Sequence, residues 1–487
     1  MTFSVVYFKR DLRIVDNEAV SSAPDSPSTR YVYIFEPGLW HLPTSSYKHY
    51  LFISACLIDL AAALAAIGKR LEIAVGEAEE VLVRLVHEGM SDIYSMEETG
   101  NGWTFERDTK LKQLFQRRGV TWHEYQSGGV IRPLPSRDMW AALRDDYIRA
   151  PLLTPPQGSS PCDHAISLPE PDELGIEVEE EIGIQYGGRT AGLSLLRSFL
   201  EERCQRYSKD LSSPLTGEWG CSRLSPYIAY GALSLREIVH AVEEAKPTSP
   251  YKRSLSSFMS RLYWHCHFIQ KLEQRPSIEK ETMHPLFERL DRERSPDSPL
   301  FIAWCTGTTG YPFVDACMRF LLYKGWLNFR MRAMLASFAA YDLWLDWRLI
   351  APHLARHFTD YEPGIHYPQL QMQSGTTGIN TLRIYDPVKQ SVEHDPEGKF
   401  IATWVPELAR LPRYYIHTPW LMDRSERETY GVAHNGPYVE PIIDHKAAVK
   451  RAKSAFSAIM ALPDFQMHKR RVMQRLGSRK TAHMRAR

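Results

Sequence analysis

The sequence predicts two domains: an α/β domain with a parallel, Rossmann-like sheet, followed by an all-helical domain. Three observations predict this architecture. The chain has 487 residues, whereas a single hydrophobic core stops growing near about 250–300 residues. Strand-like and helix-like stretches alternate over 1–126, and helical patterns dominate 186–467. The composition, 44% hydrophobic and 24% charged, is typical of a globular protein.

The first domain contains five short apolar segments that have the character of strands. Helical patterns separate them, and the connections are too long for hairpins, so the sheet is expected to be parallel and covered by helices. Ligands of such sheets bind outside the carboxyl ends of the strands. No glycine-rich dinucleotide or nucleoside-triphosphate motif occurs there, which argues against those sites. The predicted strands are 3–8, 31–35, 71–75, 92–96 and 120–125, and the predicted helices are 45–68, 77–88 and 103–118.

A proline-rich connector is predicted over 127–185. It carries eight prolines and an acidic run at 177–181, a composition typical of an interdomain segment. Beyond it, glycine and proline are confined to turns between helices. The stretch 326–348 is predicted to be one helix, because its apolar residues fall on a single stripe. That stripe consists of Met331, Met334, Leu335, Phe338 and Leu345.

Charge and cysteine content argue against several kinds of site. The formal net charge of +1 predicts no global attraction for nucleic acid, so DNA binding requires a local patch. The segment 468–487 has two Lys, six Arg and no acid, and it fits a solvated tail as well as a phosphate-contacting arm. The seven cysteines form no C-x-x-C pair, unlike a zinc knuckle or an iron–sulfur cluster. The run His265-Cys266-His267 is not expected to bind a metal, because adjacent helical side chains diverge.

The chain is expected to be a cytoplasmic monomer that spans no membrane. Its cysteines are odd in number and widely spaced, which is typical of reduced thiols. No signal peptide is expected before the first strand, and no apolar run of about 20 residues is expected.

Two kinds of segment in the helical half can carry chemistry. In 220–238, Ser222, Arg223 and Ser225 lie at a predicted helix start, where free amides, hydroxyls and a guanidinium suit a phosphate. Simple helix capping explains the same residues. The stretch 325–348 places charges in an apolar helix, and they form either structural ion pairs or an arginine directed at an anionic ligand. These charges are Arg330, Arg332, Asp342, Asp346 and Arg348.

Several segments, taken together and in order, resemble the photolyase and cryptochrome family. The segment 8–17 (FKRDLRIVDN) resembles the family's opening signature, and 220–238 (GCSRLSPYIAYGALSLREI) resembles its flavin-phosphate segment. The segment 304–321 (WCTGTTGYPFVDACMRFL) matches the block Trp-x-x-Gly-x-Thr-Gly-x-Pro-x-Val-Asp-Ala-x-Met-Arg. The resemblance implies an antenna-bearing α/β domain and a helical domain that holds FAD. Further matching segments are 382–390, 394–408, 417–420 and 439–448.

The resemblance implies a set of flavin-binding residues. Arg332 matches the family's arginine near the isoalloxazine, Asp360 its carboxylate partner, and Glu362 stands in place of a second Asp. A buried Arg stabilises an anionic reduced flavin, and the Asp fixes the Arg. Cys221 replaces a hydroxyl residue of the family pattern. The other implied cofactor contacts are Tyr207, Ser222, Arg223, Leu224, Ser225, His265, Trp326 and Asn328.

The implied activity is light-driven DNA repair: reduced FAD passes an electron to a pyrimidine dimer flipped out of UV-damaged DNA, single- or double-stranded. Cyclobutane dimers are favoured, and Trp264, Arg332 and Asp360 are the implied catalytic residues. The lesion-binding pattern departs from the family, since Arg261 replaces a Glu and His265 an Arg. A blue-light photoreceptor of the cryptochrome type is therefore the main alternative, and a flavin protein that binds RNA or DNA without repairing it is a third. The implied lesion contacts are Arg261, Trp264, Phe329 and His366.

The chain of three tryptophans that reduces the flavin in this family is incomplete. Trp347 matches its middle member, whereas the flavin-proximal position has no Trp. Candidates for another electron route are Tyr263, Trp326, Trp344 and Tyr367. The antenna is left open between a folate, a deazaflavin, another flavin and none, with candidate contacts at Trp103, Glu106 and Arg107.

Overall fold

The structure, a computed structural model, describes residues 2–158, 160–180 and 182–478. Five parallel strands form one sheet in the order β3-β2-β1-β4-β5, which confirms the predicted α/β domain. The chain therefore reverses its direction of winding next to β1, and such a switch point opens a crevice at the carboxyl ends of the strands. The strands are β1 (Phe3–Phe8), β2 (Arg30–Phe35), β3 (Leu71–Val75), β4 (Met90–Met96) and β5 (Thr121–Tyr125).

Helices follow these strands and then fill the rest of the described chain. In the α/β half they are α1 (Glu18–Ser22), α2 (Pro37–Trp40), α3 (Tyr47–Ala66), α4 (Ala78–Glu88) and α5 (Gly102–Arg118). The connector contains α6 (Trp140–Arg149). The helical half contains α7 (Arg189–Glu201), α8 (Tyr207–Asp210), α9 (Gly217–Gly220), α10 (Ser225–Ala229), α11 (Leu235–Ala245), α12 (Lys252–Gln274), α13 (Pro299–Thr306), α14 (Pro312–Lys324), α15 (Phe329–Ser337), α16 (Trp347–His357), α17 (Pro363–Gln373), α18 (Pro387–His394), α19 (Lys399–Trp404), α20 (Arg413–Ile416), α21 (Arg424–Tyr430), α22 (His445–Met460) and α23 (Phe465–Leu476).

The two faces of the sheet are buried against different partners. Val5 and Tyr7 pack with α4 and α5, whereas Val6 and Phe8 pack with α3 and with helices of the second half. The alternation follows from the two-residue period of a strand. Because α3 lies between the sheet and the helical half, it is apolar on most sides. It is long and apolar enough to cross a membrane, yet 56% of that stretch is buried inside the protein.

The predicted helix over 326–348 is wrong as one element. The first part is α15, and Phe338–Asp342 then widens into a π-helical turn in which the Leu343 amide bonds the Phe338 carbonyl at 3.0 Å. Trp344 follows with a φ of +60°. Asp346 then caps a new helix, α16, by accepting from the Arg348 amide at 2.9 Å. Periodicity did not reveal the break, because both halves keep their apolar residues buried.

Helices α12 and α17 pack closely and position much of the site. A Cβ on Gly364 would lie 2.6 Å from the Ile269 Cα, so only glycine allows this approach. Residues 265–267 lie on α12 and 366–367 lie on α17. The predicted basic tail falls partly in α23, and its residues 479–487 lie outside the described residues.

Candidate functional site

A two-point ion pair lies where α15 meets the segment before α17. Arg332 Nη1 and Nη2 donate to the two carboxylate oxygens of Asp360, each at 2.9 Å. The Arg332 Nε donates to the Leu327 carbonyl at 2.6 Å, and its guanidinium lies 4.0 Å from the Phe358 ring. Such two-point geometry fixes a guanidinium in one plane. The structure thus brings together the arginine and the carboxylate that the family resemblance paired.

The Asp360 carboxyl is charged although it is buried. Burial alone would raise its pKa, but the charge and hydrogen bonds of Arg332 outweigh burial and leave the pKa below its ordinary value. The Ser225 hydroxyl also bonds this carboxylate. Ser225 opens α10, so the predicted phosphate segment and the Arg332–Asp360 pair meet at one place.

The segment that leads into α10 is held by arginines. Arg203 donates to the carbonyls of Cys221 and, at 3.3 Å, of Ser222. Arg223 adopts a φ of +60°, a conformation that costs a non-glycine residue about 1–3 kcal/mol. Its guanidinium lies 4.2 Å from the Trp326 ring centroid, and its Nε donates to Gln185 at 2.9 Å. A strained backbone held in this way orients α10 and the residues before it.

Polar groups without partners line the same region. Asn328 Nδ2 donates to the Leu211 carbonyl at 3.1 Å, whereas its buried Oδ1 has no partner in the described protein. Burial raises the pKa of the Cys221 thiol to about 12, so it is neutral and donates weakly. Tyr207 and Leu224 are buried nearby. A buried acceptor left unpaired costs free energy unless a bound group satisfies it.

Three predicted site residues lie on the faces of α12 and α15. The Arg261 guanidinium lies 5.9 Å from the Phe329 ring, and Phe329 is 41% exposed. Trp264 packs edge-on against His267 at 5.1 Å and lies 5.8 Å from Phe268. Arg261 and Phe329 therefore form an exposed pair, while Trp264 is half-buried among aromatic rings.

Two other predicted site residues lie near Arg10 and not near the Arg332–Asp360 pair. Glu362 and His265 line a cavity between the two halves of the chain. Glu362 Oε2 lies 3.5 Å from Arg10 Nη2, and its buried Oε1 has no partner in the described protein. Burial raises the pKa of Glu362 to about 7 and lowers the pKa of His265 to about 4. Arg10 belongs to the segment 8–17, so this segment supplies a charged side chain to the boundary between the two halves of the chain.

A cluster of aromatic side chains lies on α16 and α17. His366 Nε2 donates to the Ala351 carbonyl at 2.9 Å, and the His366 ring lies 5.3 Å from the Tyr367 ring. Trp347 is buried, its Nε1 has no partner in the described protein, and its ring centroid lies 6.5 Å from that of Tyr367. Of the four aromatic candidates for another electron route, Tyr367 contacts Trp347. Trp344 instead lies between two arginines, Arg292 and Arg451, at 5.0 and 5.2 Å.

Comparisons with known proteins agree with this arrangement. Residues 4–135 match the family described as DNA photolyase, and residues 258–458 match the FAD binding domain of DNA photolyase. The chain belongs to the photolyase and cryptochrome family.

Curated relatives match from about half to nearly the whole of the chain. A deoxyribodipyrimidine photo-lyase of Alkalihalophilus pseudofirmus is 34% identical over 55% of each chain. A deoxyribodipyrimidine photo-lyase of Streptomyces griseus is 29% identical, with 93% of this chain and 99% of the relative covered. A cryptochrome DASH of Natronomonas pharaonis is 26% identical, with 91% and 98% covered.

Solved photolyase structures share the fold. A bacterial class III photolyase from Agrobacterium tumefaciens superimposes with a TM-score of 0.82 at 24% identity, over 95% of this chain and 98% of that one. An archaeal photolyase from Sulfolobus tokodaii, solved with two FAD molecules, has a TM-score of 0.76 at 25% identity over 94% and 100%. The all-helical half is therefore the FAD-binding domain, and FAD is the cofactor.

The residues present fit an FAD. The unpaired Asn328 Oδ1, the Arg332–Asp360 pair and the start of α10 supply an acceptor, a fixed cation and free amides, which are the groups a dinucleotide needs. The predicted cofactor residues divide into two sets. Ser225, Arg332 and Asp360 are joined by direct contacts, and Arg223 packs on Trp326, whereas His265 and Glu362 line a cavity with Arg10.

A second cavity lies at the carboxyl ends of β1, β2 and β4, at the switch point of the sheet. Its floor is Arg107, whose guanidinium pairs with Glu36 at 2.7 Å, Glu98 at 2.6 Å and Asp108 at 2.8 Å. Arg107 was a candidate contact in the sequence, and Trp103 lies 5.9 Å from it. Glu36 and Glu98 were not among the predicted site residues. Their positions just after β2 and β4, at the carboxyl ends of the strands, were a signal of a site there.

Proposed function

We propose that the chain is a light-dependent DNA photolyase, a lyase that reverses pyrimidine dimers, with cyclobutane dimers as the favoured substrate. The observation that carries the proposal is the Arg332–Asp360 pair beside the start of α10, in a chain whose relatives include deoxyribodipyrimidine photo-lyases over most of its length. Reduced FAD supplies the photoexcited electron when it is bound.

The protein's own residues position the reactants. Arg332 holds positive charge beside the place of the flavin, and Asp360 keeps the guanidinium from rotating. Arg261 and Phe329 present a cation and a ring at the surface, where a flipped base would arrive. Trp264 and His366 are proposed to contact the dimer from α12 and α17. Trp347, through Tyr367, is proposed to carry electrons inward from the protein to the cofactor.

The cavity that Arg107 lines supports the proposal that a second chromophore binds there. It lies at the switch point of the sheet, where such folds bind ligands, and Tyr230 and Tyr361 of the helical half close it from the far side. Excitation energy from a chromophore bound in this cavity would have only a short distance to travel to the helical half.

A cryptochrome-type photoreceptor is the second candidate. The observation that favours it is the altered lesion pattern, since Arg261 stands where the family places a Glu and His265 lies with Arg10 rather than on the surface. A photoreceptor needs the flavin residues and not the lesion residues.

One experiment separates the two. The purified protein, with its flavin confirmed by absorbance and then reduced, is illuminated with oligonucleotides that carry either a cyclobutane or a (6-4) dimer, in single and double strands. We expect light-dependent reversal of the cyclobutane dimer and none in the dark. Absence of reversal for both lesions would reject the photolyase and leave the photoreceptor.

A Trp264→Ala variant tests the proposed lesion site. We expect weaker binding of dimer-containing DNA with flavin absorbance retained, because Trp264 is half-buried beside His267 and not in the Arg332–Asp360 network. Loss of flavin from this variant would place Trp264 in the cofactor site instead.

A further inference from the structure

A guanidinium is buried beside the π-helical turn without a carboxylate of its own. Arg292 is 6% exposed, and it forms no salt bridge with the part of the chain that the structure describes. Burial lowers the pKa of Arg292 only to about 10, so the side chain is charged near neutral pH. A buried charge is costly unless an opposite charge accompanies it.

The carboxylate that attracts Arg292 already pairs with two other arginines. Asp346 Oδ2 lies 3.0 Å from Arg294 Nη2 and 3.1 Å from Arg348 Nη1, whereas Asp346 attracts Arg292 only through space. Arg348 also pairs with Glu288. Three guanidinium groups therefore share two carboxylates, and Arg292 is the one without a direct contact.

Aromatic rings surround the Arg292 guanidinium but do not complete its hydrogen bonds. The ring centroids of Tyr341, Trp344 and Phe456 lie 5.8, 5.0 and 5.3 Å from its Cζ. Ring faces attract a cation, but they are not hydrogen-bond acceptors of ordinary strength. Arg292 Nη2 donates to the Ser374 carbonyl at 3.0 Å. Its Nε and Nη1 are buried and have no partner in the described protein.

Two hydroxyl groups beside Arg292 are unpaired as well. The hydroxyls of Tyr341 and Ser374 are buried and form no hydrogen bond with any residue in 2–158, 160–180 or 182–478. A Cβ on Gly375 would collide with the Tyr341 hydroxyl and lie 2.9 Å from a ring carbon of Phe456, so this hydroxyl lies against the segment that Arg292 binds. All four unpaired atoms can donate a hydrogen bond, and the described protein offers them no acceptor.

We propose that this site binds a small inorganic monoanion of halide size, such as chloride, held by Nε and Nη1 of Arg292 and by the hydroxyls of Tyr341 and Ser374. An anion supplies an acceptor and a negative charge together, whereas a water molecule supplies only the acceptor. Tyr341 and Ser374 are each 0% exposed, and such an enclosed position favours a halide over a phosphate. The inference goes beyond the proposed function and does not depend on it.

The anion joins segments that are distant along the chain. Arg292 precedes α13, Tyr341 lies in the π-helical turn, and Ser374 follows the last residue of α17. Phe456 of α22 packs on the same guanidinium. Anion binding therefore stabilises the junction of these elements, and its expected effect is on the stability of the folded protein.

Two measurements on the flavin-loaded protein test the site. The protein is crystallised with bromide in place of chloride, and diffraction is recorded at the bromine absorption edge. We expect an anomalous peak within hydrogen-bond reach of the four donor atoms. In solution, the melting temperature is followed as chloride replaces gluconate at constant ionic strength. We expect a rise of about 1–4 °C for each tenfold increase in chloride above its dissociation constant.

Matched variants assign the effect to these residues. Arg292→Met should abolish the chloride dependence, because it removes the charge and two of the donors. Tyr341→Phe keeps the ring and removes only the hydroxyl, so it serves if Arg292→Met does not fold. It should raise the chloride concentration that is needed about tenfold or more. Tyr414→Phe is the control and should keep the wild-type dependence, because the Tyr414 side chain is 65% exposed on α20 and its hydroxyl bonds that of Tyr430.

Three results would overturn the inference. The first is density for a water molecule alone at this position in the bromide crystals. The second is a chloride dependence that Arg292→Met, or Tyr341→Phe in its place, keeps unchanged. The third is a bromide peak without any chloride dependence of the melting temperature, which would show an adventitious ion only, bound at the concentration of the crystal. None of these results bears on whether the protein reverses pyrimidine dimers.

Discussion

At the scale of residues, the site depends on charges that are buried only because each has a specific partner. Arg332 and Asp360 illustrate this, since two hydrogen bonds of 2.9 Å offset the burial of the carboxylate. Glu362 illustrates the opposite case, because Arg10 at 3.5 Å does not offset burial and the pKa of Glu362 rises to about 7. Near neutral pH Asp360 is thus ionised, whereas Glu362, with a pKa of about 7, is protonated in a large part of the molecules.

Asp360→Asn should remove the negative charge that partners Arg332 and leave a half-buried guanidinium without a counter-charge. Breaking such a pair costs about 3–5 kcal/mol when it is fully buried, and less here because the Arg332 side chain is 26% exposed. We expect a lower melting temperature and a lower ratio of flavin to protein absorbance. Glu397→Gln, which breaks the exposed pair with Arg413, is the control and should change neither quantity. Full flavin retention in Asp360→Asn would contradict the role of the pair.

At the scale of elements, two interruptions of the helical backbone place the site residues on separate helices. The π-helical turn and the left-handed Trp344 end α15 and redirect the chain into α16, so Arg332 and Trp347 lie on separate helices. The close contact of α12 with α17 at Ile269 and Gly364 then holds these two helices together. Both features arise from local backbone geometry that supports tertiary contacts.

Gly364→Ala should force α17 away from α12, because the added Cβ would lie 2.6 Å from the Ile269 Cα and backbone does not yield as a flexible side chain does. Overpacking of this kind costs about 1–3 kcal/mol, measured as a lower free energy of unfolding in urea. Gly436→Ala is a matched control, since nothing lies within 4 Å of its added Cβ. Equal stability of the two variants would show that the helices separate freely.

At the scale of the whole molecule, the boundary between the two halves is polar and titratable. Arg10 of the α/β half donates to the Tyr361 carbonyl at 2.7 Å and to the Ala229 carbonyl at 2.8 Å. Glu97 and Glu362 line the cavity between the halves, and burial raises the pKa of each to about 7. Protonation of these carboxyls therefore favours the assembled protein.

Glu362→Gln should make stability less dependent on pH. The folded pKa of Glu362, about 7, is above its ordinary value of 4.5, so the folded state binds more protons and stability falls as pH rises from 4.5 through 7. The neutral amide removes this loss, which is at most about 3 kcal/mol for such a shift. Thermal unfolding at pH 5 and pH 8 should show a smaller difference for the variant than for the wild type.

Glu106→Gln is the control for that measurement, because Glu106 is exposed on α5. It should retain the wild-type dependence on pH. A Glu362→Gln variant whose melting temperature follows the wild type at both pH values would show that Glu362 is ionised in the folded protein.

The sequence by itself determined the fold class, the five strands and the helices that cover them, and its resemblance to the photolyase and cryptochrome family implied the pairing of Arg332 with Asp360. It did so because strand and helix periods are local, and because the flavin segments are continuous runs of chain. Only the tertiary structure decided the break after Ser337 and the separation of Glu362 and His265 from the Arg332–Asp360 pair. These features depend on which segments meet across more than a hundred residues, and burial there fixes both backbone strain and charge in ways that no local pattern records.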